Sequence, residues 1–470
     1  MTAPPSPRER CPHRCLAGLA TLPIPYALPL SKVYLLNMSD SNPPRTATAL
    51  PPIDQAPAVE APSSGPLPLL GMELSDFETL AKESGLPPFA ARQIAKWVYE
   101  KRIFDPEAMT DLPKRGRERL AALVVSGAHA PVKATTSRDG TKKYLFATEV
   151  GRIPPNAPRL APPPAAATAT TTTTPNSAPP PAAATFAPPS ATASAPPPAS
   201  TSAPPSSTAQ TRFIEAAYIP DRDRATLCVS SQVGCKMGCL FCSTGRMGFH
   251  GQLSVQEILN QIVSIPKSAS LTNVVYMGMG EPFDNLDNVL ATLRVLCAPW
   301  GFAWSPRRIT VSTVGVLPGL RRFLDESECH LAVSLHSPFH DERRALMPVE
   351  AAYALPELIG MIRSFDFGRQ RRISFEYILF EGLNDSSRHI NEIARLLNGV
   401  NCRFNLIAFH AIPDVPFRPA SRQRLEWFRD ELGRKGFTAT IRASRGEDIL
   451  AACGLLSTRE LSSRQEAGQI

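Results

Sequence analysis

The sequence predicts an α/β fold in which a small helical domain precedes a parallel sheet or barrel. Three observations support this prediction. Strand-like runs alternate with helix-like segments from Arg224 onward, as repeated βα units require. Apolar residues recur at helical spacing just after Leu69, which is typical of amphipathic helices. Two other segments are dominated by Pro, Ala, Ser and Thr, a composition that cannot bury enough apolar surface to fold.

The first low-complexity segment is residues 1–68. The chain has 470 residues and 49 prolines, which are unevenly spread, so much of its length is not core. We expect residues 1–68 to be a disordered extension. An upstream extension with translation starting at Met38 is favoured over an organelle transit peptide, because prolines interrupt the apolar stretch before it. No run is long and apolar enough to span a membrane.

The next two regions are a helical domain and a hairpin. Residues 69–130 are predicted to be a small helical accessory domain, with a capping box at Ser75 and Glu78. Residues 131–223 are predicted to form a β-hairpin region, with strands at Lys142–Thr148 and Phe213–Ile219. The second low-complexity segment, about residues 154–207, is expected to interrupt this hairpin as a disordered insertion.

Residues 224–456 form the predicted barrel core, followed by a tail at 457–470. The predicted strands are Ala225–Val229, Val274–Met277, Ile309–Ser312, Leu331–Leu335, Ile373–Phe380, Phe404–Phe409 and Ala439–Ala443. The predicted helices are Val255–Ile265, Leu286–Cys297, Leu355–Ser364, Asn391–Leu397 and Gln423–Lys435. In parallel α/β folds the chemistry lies at the carboxyl ends of the strands.

A Cys-x3-Cys-x2-Cys run, Cys235, Cys239 and Cys242, directly follows the first of these strands. Soft thiolates select zinc, copper(I) or iron–sulfur clusters. A structural zinc site usually has four protein ligands, and no second Cys or His pair follows here. The run therefore favours a [4Fe–4S] cluster with one iron left open. Radical S-adenosylmethionine (SAM) enzymes use such an iron to hold their cofactor.

Polar residues follow the next strands of the series. Gly280 and Glu281 end the second strand, where glycine lets the backbone approach a ligand and the acid can accept from an ammonium group. Ser312 ends the third, and Ser334-Leu335-His336 ends the fourth. We expect these residues to line a cofactor site at one edge of the sheet.

Charge and cysteine usage bear on partners and compartment. The formal net charge is +8, which suits a polyanion such as RNA. The ten cysteines have no framework spacing, which favours a reducing, cytoplasmic compartment. Several basic residues are plausible phosphate contacts: Lys142, Lys143, Arg307, Arg308, Arg442 and Arg445.

Three stretches closely resemble the RlmN family of radical SAM enzymes, which methylate carbon 2 of adenine in large-subunit (23S) ribosomal RNA and in tRNA. They are Arg224–Cys235, Met277–Pro282 and Arg445–Gly454. The resemblance covers residues 69–456 apart from the insertion. It implies a partial (βα)6 TIM-type barrel.

The resemblance also implies roles for individual residues. Cys235, Cys239 and Cys242 match the cluster ligands. Cys453 matches the cysteine that becomes S-methylated, Cys228 the cysteine that resolves the RNA adduct, and Glu215 the catalytic proton acceptor. Gly280, Glu281, Ser312, Ser334, Leu335 and His336 match SAM-binding positions. His410 stands where many members have Asn; imidazole can also hydrogen-bond SAM there.

The chemistry implied by the resemblance consumes two SAM molecules per turnover. One methylates Cys453, and the other yields a 5′-deoxyadenosyl radical that activates the S-methyl group. Attack by Cys228 then releases the methylated RNA and leaves a disulfide. An external one-electron reductant such as flavodoxin or ferredoxin is implied, and we expect a monomer.

Two alternatives remain open from the residues alone. A Cfr-type enzyme would methylate carbon 8 of adenine with the same paired cysteines. A non-catalytic, metal-bound RNA-binding module would hold zinc and would not need Cys453.

Overall fold

The computed structural model describes residues 65–148, 150, 211–367 and 373–458. Nearly all of the predicted disordered extension, the whole of the low-complexity insertion and most of the predicted tail lie outside the described residues. Among the helices in these ranges, none combines the length and apolar character needed to cross a bilayer.

The N-terminal region is helical, as the apolar spacing predicts. It contains β1 (Leu67–Pro68), α1 (Leu74–Glu83), α2 (Ala90–Tyr99), α3 (Lys114–Leu123) and β2 (Val124–Val125), with β1 and β2 paired in parallel. The predicted capping box at Ser75 and Glu78 is wrong, because α1 begins earlier. Its N-cap is Glu73, whose backbone N–H donates to the Asp76 carboxylate over 2.8 Å.

Tyr99 fixes this helical region against the barrel. Its buried ring lies 5.3 Å from the Phe302 ring, centroid to centroid, and its hydroxyl donates to the Met72 carbonyl. On a neighbouring face, the Gln256 side chain donates to the Gly127 carbonyl. Apolar packing and paired polar groups therefore join the two parts.

The rest of the described chain builds the barrel and a small hairpin. Its strands are β3 (Lys133–Thr136), β4 (Lys142–Thr148), β5 (Arg212–Asp221), β6 (Arg224–Cys228), β7 (Gln232–Gly234), β8 (Phe249–Gln252), β9 (Asn273–Tyr276), β10 (Ile309–Thr313), β11 (His330–Ser334), β12 (Ile373–Leu379), β13 (Cys402–Ala408) and β14 (Thr438–Ile441). Its helices are α4 (Ser243–Arg246), α5 (Val255–Val263), α6 (Leu286–Cys297), α7 (Leu317–Glu326), α8 (His340–Leu346), α9 (Leu355–Ser364), α10 (Ser387–Leu396) and α11 (Arg422–Arg434).

One ten-stranded sheet has the order β14-β13-β12-β11-β10-β9-β6-β5-β4-β3. From β6 to β14 the neighbouring strands are parallel, and each crossover between them contains a helix. The prediction of a partial (βα)6 barrel is confirmed. Among the described residues the sheet ends at β14 on one side and at β3 on the other, so the barrel stays open.

The antiparallel part of the sheet extends the barrel from β6 outward. β4 pairs with β5 along its full length, with Thr148 opposite Arg212. The ends of the two strands that flank residues 149–211 are therefore next to each other.

The strand interiors form the core. Val274, Val311, Leu331, Phe375 and Phe404 lie on five neighbouring parallel strands and are fully buried. β11 and β12 have consecutive buried residues and are therefore covered on both faces, whereas β9 and β10 alternate buried with half-buried residues. Polar side chains collect at the carboxyl ends of these strands.

Candidate active site

Two cavities share a wall at the carboxyl edge of the parallel strands, and a third cleft is lined in part by neighbouring residues of the same loops. The cofactor cavity is lined by Cys235, Cys239, Cys242, Gly280, Glu281, Ser312, Ser334, His336, Glu376, Arg442 and Cys453, among others. The outer cleft is lined by Cys228, Cys242, Asn405, His410, Arg442, Arg445 and Cys453, among others. The lateral cleft is lined by Lys133, Lys143, Glu215, Arg246 and Ser457, among others.

The three clustered cysteines share one wall of the cofactor cavity. Their loop connects β7 to α4, and the Cys242 N–H donates to the Cys239 carbonyl over 3.1 Å. Burial raises the pKa of the Cys235 thiol to about 12 and raises the pKa values of Cys239 and Cys242 as well. The thiols therefore need a bound cation to lose their protons, as metal ligands do.

The donor set suits an iron–sulfur cluster. Within the described ranges, no three His, Cys, Asp or Glu side chains converge closely enough to hold one metal ion. Three cysteines that bind different irons of a cluster need not converge on one point. Their soft thiolates, at one wall of a cavity, match that requirement.

Gly280 and Glu281 form the adjoining wall, after β9. Gly280 has φ +100°, and a Cβ there would lie 2.5 Å from the Gln232 Cβ, so only glycine fits. The Glu281 carboxylate accepts hydrogen bonds from the Thr313 hydroxyl over 2.7 Å and from the Val314 N–H over 3.0 Å. Burial raises the pKa of Glu281 to about 7, although these hydrogen bonds oppose the rise. The carboxylate is thus preformed to receive a cationic group.

The fourth strand presents His336 to the cavity, with φ +54°. Its Nδ1 accepts the Ile378 N–H over 3.1 Å, and its ring lies edge-on to Phe241 at 4.8 Å. Burial, followed by the nearby Arg343, lowers the pKa of His336 to about 3. The ring is therefore neutral, and because Nδ1 is an acceptor, Nε2 carries the proton and can donate.

Of the other SAM-binding positions predicted near His336, only some line the cofactor cavity. Ser312 and Ser334 line the cofactor cavity, whereas the buried Leu335 side chain does not. Leu335 contributes its backbone instead: its N–H donates to the Glu376 carbonyl over 3.0 Å. The predicted set is therefore brought together except for the Leu335 side chain.

A buried arginine, which the sequence reasoning missed, holds these strand ends. Arg343 donates to the carbonyls of Val314, Ser334 and Leu335, and it is paired with the buried Glu350. A guanidinium has several donors in a fixed plane. Arg343 can therefore fix the ends of β10 and β11 together.

Cys453 lies where the cofactor cavity meets the outer cleft. Its segment is attached to the residues after the cysteine loop: the Ser243 N–H donates to the Gly454 carbonyl over 2.8 Å. The Thr244 hydroxyl donates to the Leu456 carbonyl over 2.7 Å. These contacts place the Cys453 thiol beside Cys242.

Cys228 approaches the same junction from β6. It is packed against Ala217 and Ala451. Burial raises the pKa of its thiol to about 12, and the neighbouring Cys453 thiol adds to the rise while Arg442 opposes it. None of the cysteines in the described ranges is in a disulfide.

Arg442, predicted as a phosphate contact, lines both the cofactor cavity and the outer cleft. Its guanidinium is hydrogen-bonded to Cys453 and near Cys228 and Glu376, and it lies 3.5 Å from the Met277 sulfur. Arg308 lies elsewhere: it donates to the Thr272 carbonyl at the opposite edge of the sheet.

Glu215 opens into the lateral cleft rather than the cofactor cavity. Its carboxylate pairs with the Lys143 ammonium at 3.0 Å and accepts the Ser457 N–H at 2.9 Å. Ala217 is directly opposite Cys228 in the sheet, so Glu215, two residues away, faces the same side. The segment after Cys453 occupies the space next to it.

His410 lines the outer cleft and not the cofactor cavity. Its Nε2 lies 2.9 Å from the Ser444 hydroxyl and its Nδ1 lies 3.5 Å from a Glu447 oxygen. The imidazole therefore borders the outer cleft beside Ser444 and Glu447.

Two family models match the chain. Residues 229–397 match the radical SAM superfamily, and residues 67–125 match the ribosomal RNA large subunit methyltransferase N-terminal domain. Two curated proteins are similar over nearly their whole length. One, named a probable dual-specificity RNA methyltransferase RlmN, from Porphyromonas gingivalis, is 47% identical over 85% of this chain and 99% of its own. The other, a dual-specificity RNA methyltransferase RlmN from Syntrophobacter fumaroxidans, is 35% identical over 82% and 96%.

A solved structure agrees with these matches. The crystal structure of a radical SAM methyltransferase from Sphaerobacter thermophilus is 35% identical, with a TM-score of 0.66. It covers 83% of this chain and 99% of its own.

Proposed function

Because the chain belongs to the RlmN family of radical SAM RNA methyltransferases, we propose that it methylates carbon 2 of adenine in 23S ribosomal RNA and in tRNA. One observation carries the proposal. Cys453 faces both the cofactor cavity and the outer cleft, with Cys228 behind it. A thiol at that junction can take a methyl group on one side and deliver it on the other.

The cofactor cavity fits the groups that the family requires. Cys235, Cys239 and Cys242 would hold the [4Fe–4S] cluster, and Glu281 would accept from the SAM ammonium group. When bound, the cluster and SAM supply the methyl group and a 5′-deoxyadenosyl radical. His336 can donate from Nε2 toward the ligand, and the buried walls exclude water.

The paired cysteines would carry the methyl group to the RNA. Carbon 2 of adenine is not nucleophilic, so polar transfer from SAM would fail, and a sulfur-borne methyl group is needed. The Cys453 thiolate would accept the methyl group, with Arg442 as hydrogen-bond donor to its sulfur. After the S-methyl group has given up one hydrogen atom to the 5′-deoxyadenosyl radical and its carbon has joined adenine, the Cys228 thiolate would attack the Cys453 sulfur, which breaks the carbon–sulfur bond and leaves a disulfide. An external reductant would then restore both thiols.

Glu215 would take the ring proton from the adenine adduct. The Lys143 ammonium keeps this buried carboxylate compensated. The Glu215 carboxylate also accepts a hydrogen bond from the Ser457 N–H. The segment after Cys453 would therefore have to shift before RNA reaches Glu215.

The RNA would enter from the two clefts. Carbon 2 of a stacked base cannot reach a cavity of this depth, so the target adenine would be unstacked or flipped out. Lys133 and Arg246 line the lateral cleft and would neutralise phosphates near it. We propose a cytoplasmic monomer.

The test combines a product assay with one variant. RNA digests from cells that express the protein should contain 2-methyladenosine by mass spectrometry, and finding only 8-methyladenosine would assign the Cfr-type activity instead. The Cys228→Ala variant should leave RNA covalently bound to the protein, because nothing resolves the adduct. Cys402→Ala is the matched control: Cys402 is also buried but lies outside all three cavities, so its protein should release RNA normally.

A further inference from the structure

Asn384 is a buried amide whose hydrogen-bonding groups are all in use. It lies in the loop between β12 and α10, is 0% exposed and lines none of the three cavities described above. Its Nδ2 donates to the His336 carbonyl over 2.6 Å and to the Ile378 carbonyl over 2.7 Å. Its Oδ1 accepts the Phe380 N–H over 2.8 Å. An amide has two donor hydrogens and one acceptor oxygen, so these contacts fix the orientation of the side chain.

The His336 backbone has a conformation that needs support from outside. Its φ of +54° is left-handed, which is unfavourable for a residue other than glycine and persists only where the surroundings enforce it. The hydroxyl of the next residue, Ser337, donates to the Glu342 carboxylate over 2.7 Å. Asn384 holds the carbonyl of His336 itself, so the turn is anchored from two sides.

The same amide also holds the strand end that the imidazole contacts. The Ile378 N–H donates to His336 Nδ1 over 3.1 Å, and the Ile378 carbonyl accepts from Asn384. One side chain therefore joins the backbone of His336 to the residue that fixes its ring. Without the amide, the His336 turn and the end of β12 would separate more easily, and Nδ1 would lose the donor that sets its tautomer.

We propose that Asn384 is a positioning residue that acts through His336 and keeps the Nε2–H of the imidazole directed at the cofactor cavity. His336 lines that cavity, and Asn384 lies behind it. Aspartate has the same shape but no N–H donor, and its carboxylate would face two carbonyl oxygens. The position therefore requires an amide of this length. The inference rests on the proposed function, because it assumes that His336 donates to SAM.

The first test reads the tautomer of His336 in the full chain without cofactors. Nitrogen-15 spectra of histidine-labelled protein at neutral pH distinguish a ring nitrogen that carries a proton from one that does not. The signals that disappear in His336→Gln identify the residue. The wild type should show only the Nε2–H tautomer, and Asn384→Ala should show a mixture of both tautomers. A residue with a structural role alone would lower the free energy of unfolding and leave the tautomer unchanged.

Two further variants separate orientation from charge. Asn384→Asp keeps the shape and an acceptor for the Phe380 N–H but has no donor, so it should change the tautomer as Asn384→Ala does. Asn391→Asp makes the same chemical change at an exposed residue of α10 and should leave the His336 signals unchanged. A change in Asn384→Asp alone would come from its charge and would count against the inference. An Nδ1–H tautomer in the wild type would overturn it whether or not the variants fold.

The second test measures equilibrium binding of S-adenosylhomocysteine to the anaerobically reconstituted enzyme without reductant. Asn384→Ala and His336→Gln should each bind roughly 2- to 10-fold more weakly than the wild type, the range for a typical hydrogen bond. Because Asn384 acts through His336, the double variant should bind no more weakly than His336→Gln alone. Additive losses would show that Asn384 affects the cofactor by another route and would overturn the inference.

Failure of the inference and failure of the proposed function give different results. A wild type that binds no S-adenosylhomocysteine would refute the SAM-dependent function and leave the tautomer test standing. Tight binding together with an unchanged His336 tautomer in both Asn384 variants would refute only the role of Asn384.

Discussion

Replacing Gly280 with alanine tests whether the Gly280–Glu281 wall has the geometry described. The new Cβ would lie 2.5 Å from the Gln232 Cβ and 2.8 Å from the Gln232 backbone nitrogen. A positive φ adds about 1–2 kcal/mol for a residue other than glycine. Gln232 would have to move. Its side chain accepts a hydrogen bond from the Glu281 N–H and donates one to the Asp284 carboxylate. One or both of these hydrogen bonds, each worth about 1 kcal/mol, would therefore weaken.

The free energy of unfolding of Gly280→Ala should therefore fall by about 3 kcal/mol, and its affinity for S-adenosylhomocysteine should fall with it. Urea unfolding of the protein without cofactors measures the first effect, with the slope checked for constancy. Gly360→Ala is the matched control, because Gly360 is within α9 and a Cβ there meets nothing within 4 Å. That variant should be as stable as the wild type or about 0.5–1 kcal/mol more stable. Equal unfolding midpoints for the two variants would refute the reasoning.

Three further predictions concern charge and the insertion. The pKa of Glu281 is about 7 in the folded protein and 4.5 otherwise, so its contribution to stability is fully present below pH 4.5 and is lost as pH rises to 7. Relative to Glu281→Gln, the free energy of unfolding of the wild type without cofactors should fall by about 3 kcal/mol across that window. Parallel curves of unfolding free energy against pH for the two proteins would contradict this. Lys143→Met should lower the free energy of unfolding by about 2 kcal/mol, which is less than for a fully buried ion pair because Lys143 is partly exposed. The double variant with Glu215→Gln should lose less unfolding free energy than the sum of the two single changes. Strictly additive losses would exclude the ion pair. Deleting residues 154–207 should leave RNA methylation largely intact, because β4 and β5 end side by side; a large loss of activity at unchanged stability would show that the insertion takes part in the reaction.

The sequence predicted the parallel barrel well because its signal is local. The apolar run Leu331–Val333 of β11 is buried on both faces, and the helices between the strands have their own helical period of apolar residues. The sequence misplaced the start of a helix where several residues that can cap a helix lie close together. Helix α1 is capped at Glu73 and not at Ser75, since Asp76 is correctly spaced to accept from the earlier residue.

Short elements also escaped prediction. The β7–β8 hairpin on either side of the cysteine loop has strands of only three and four residues with an irregularity at Gly234. Helix α10 begins at Ser387, four residues before its predicted start at Asn391, because the Ser386 cap was not recognised. The two hairpin strands have too few alternating residues to be distinguished from a loop, whereas for α10 only the start was misplaced.

In the candidate site, only the residues that belong to a sequence motif could be predicted. No local pattern shows that Arg442 is beside two thiols or that Glu376 faces the cavity, because both depend on the alignment of β12, β13 and β14. A charged residue inside the apolar run of β12 was the available signal for Glu376. An acid within a parallel strand is rarely buried without a reason.

The attachment of Gly454, Leu456 and Ser457 to Ser243, Thr244 and Glu215 has a consequence for biosynthesis. The cysteine loop is translated some two hundred residues before the segment that completes its surroundings. While the chain is still growing, most strands can pair, but the thiol that would carry the methyl group is not yet made. A ribosome that stops short of residue 453 would therefore release a protein with a nearly complete sheet and an intact cysteine triplet but without the proposed methyl carrier.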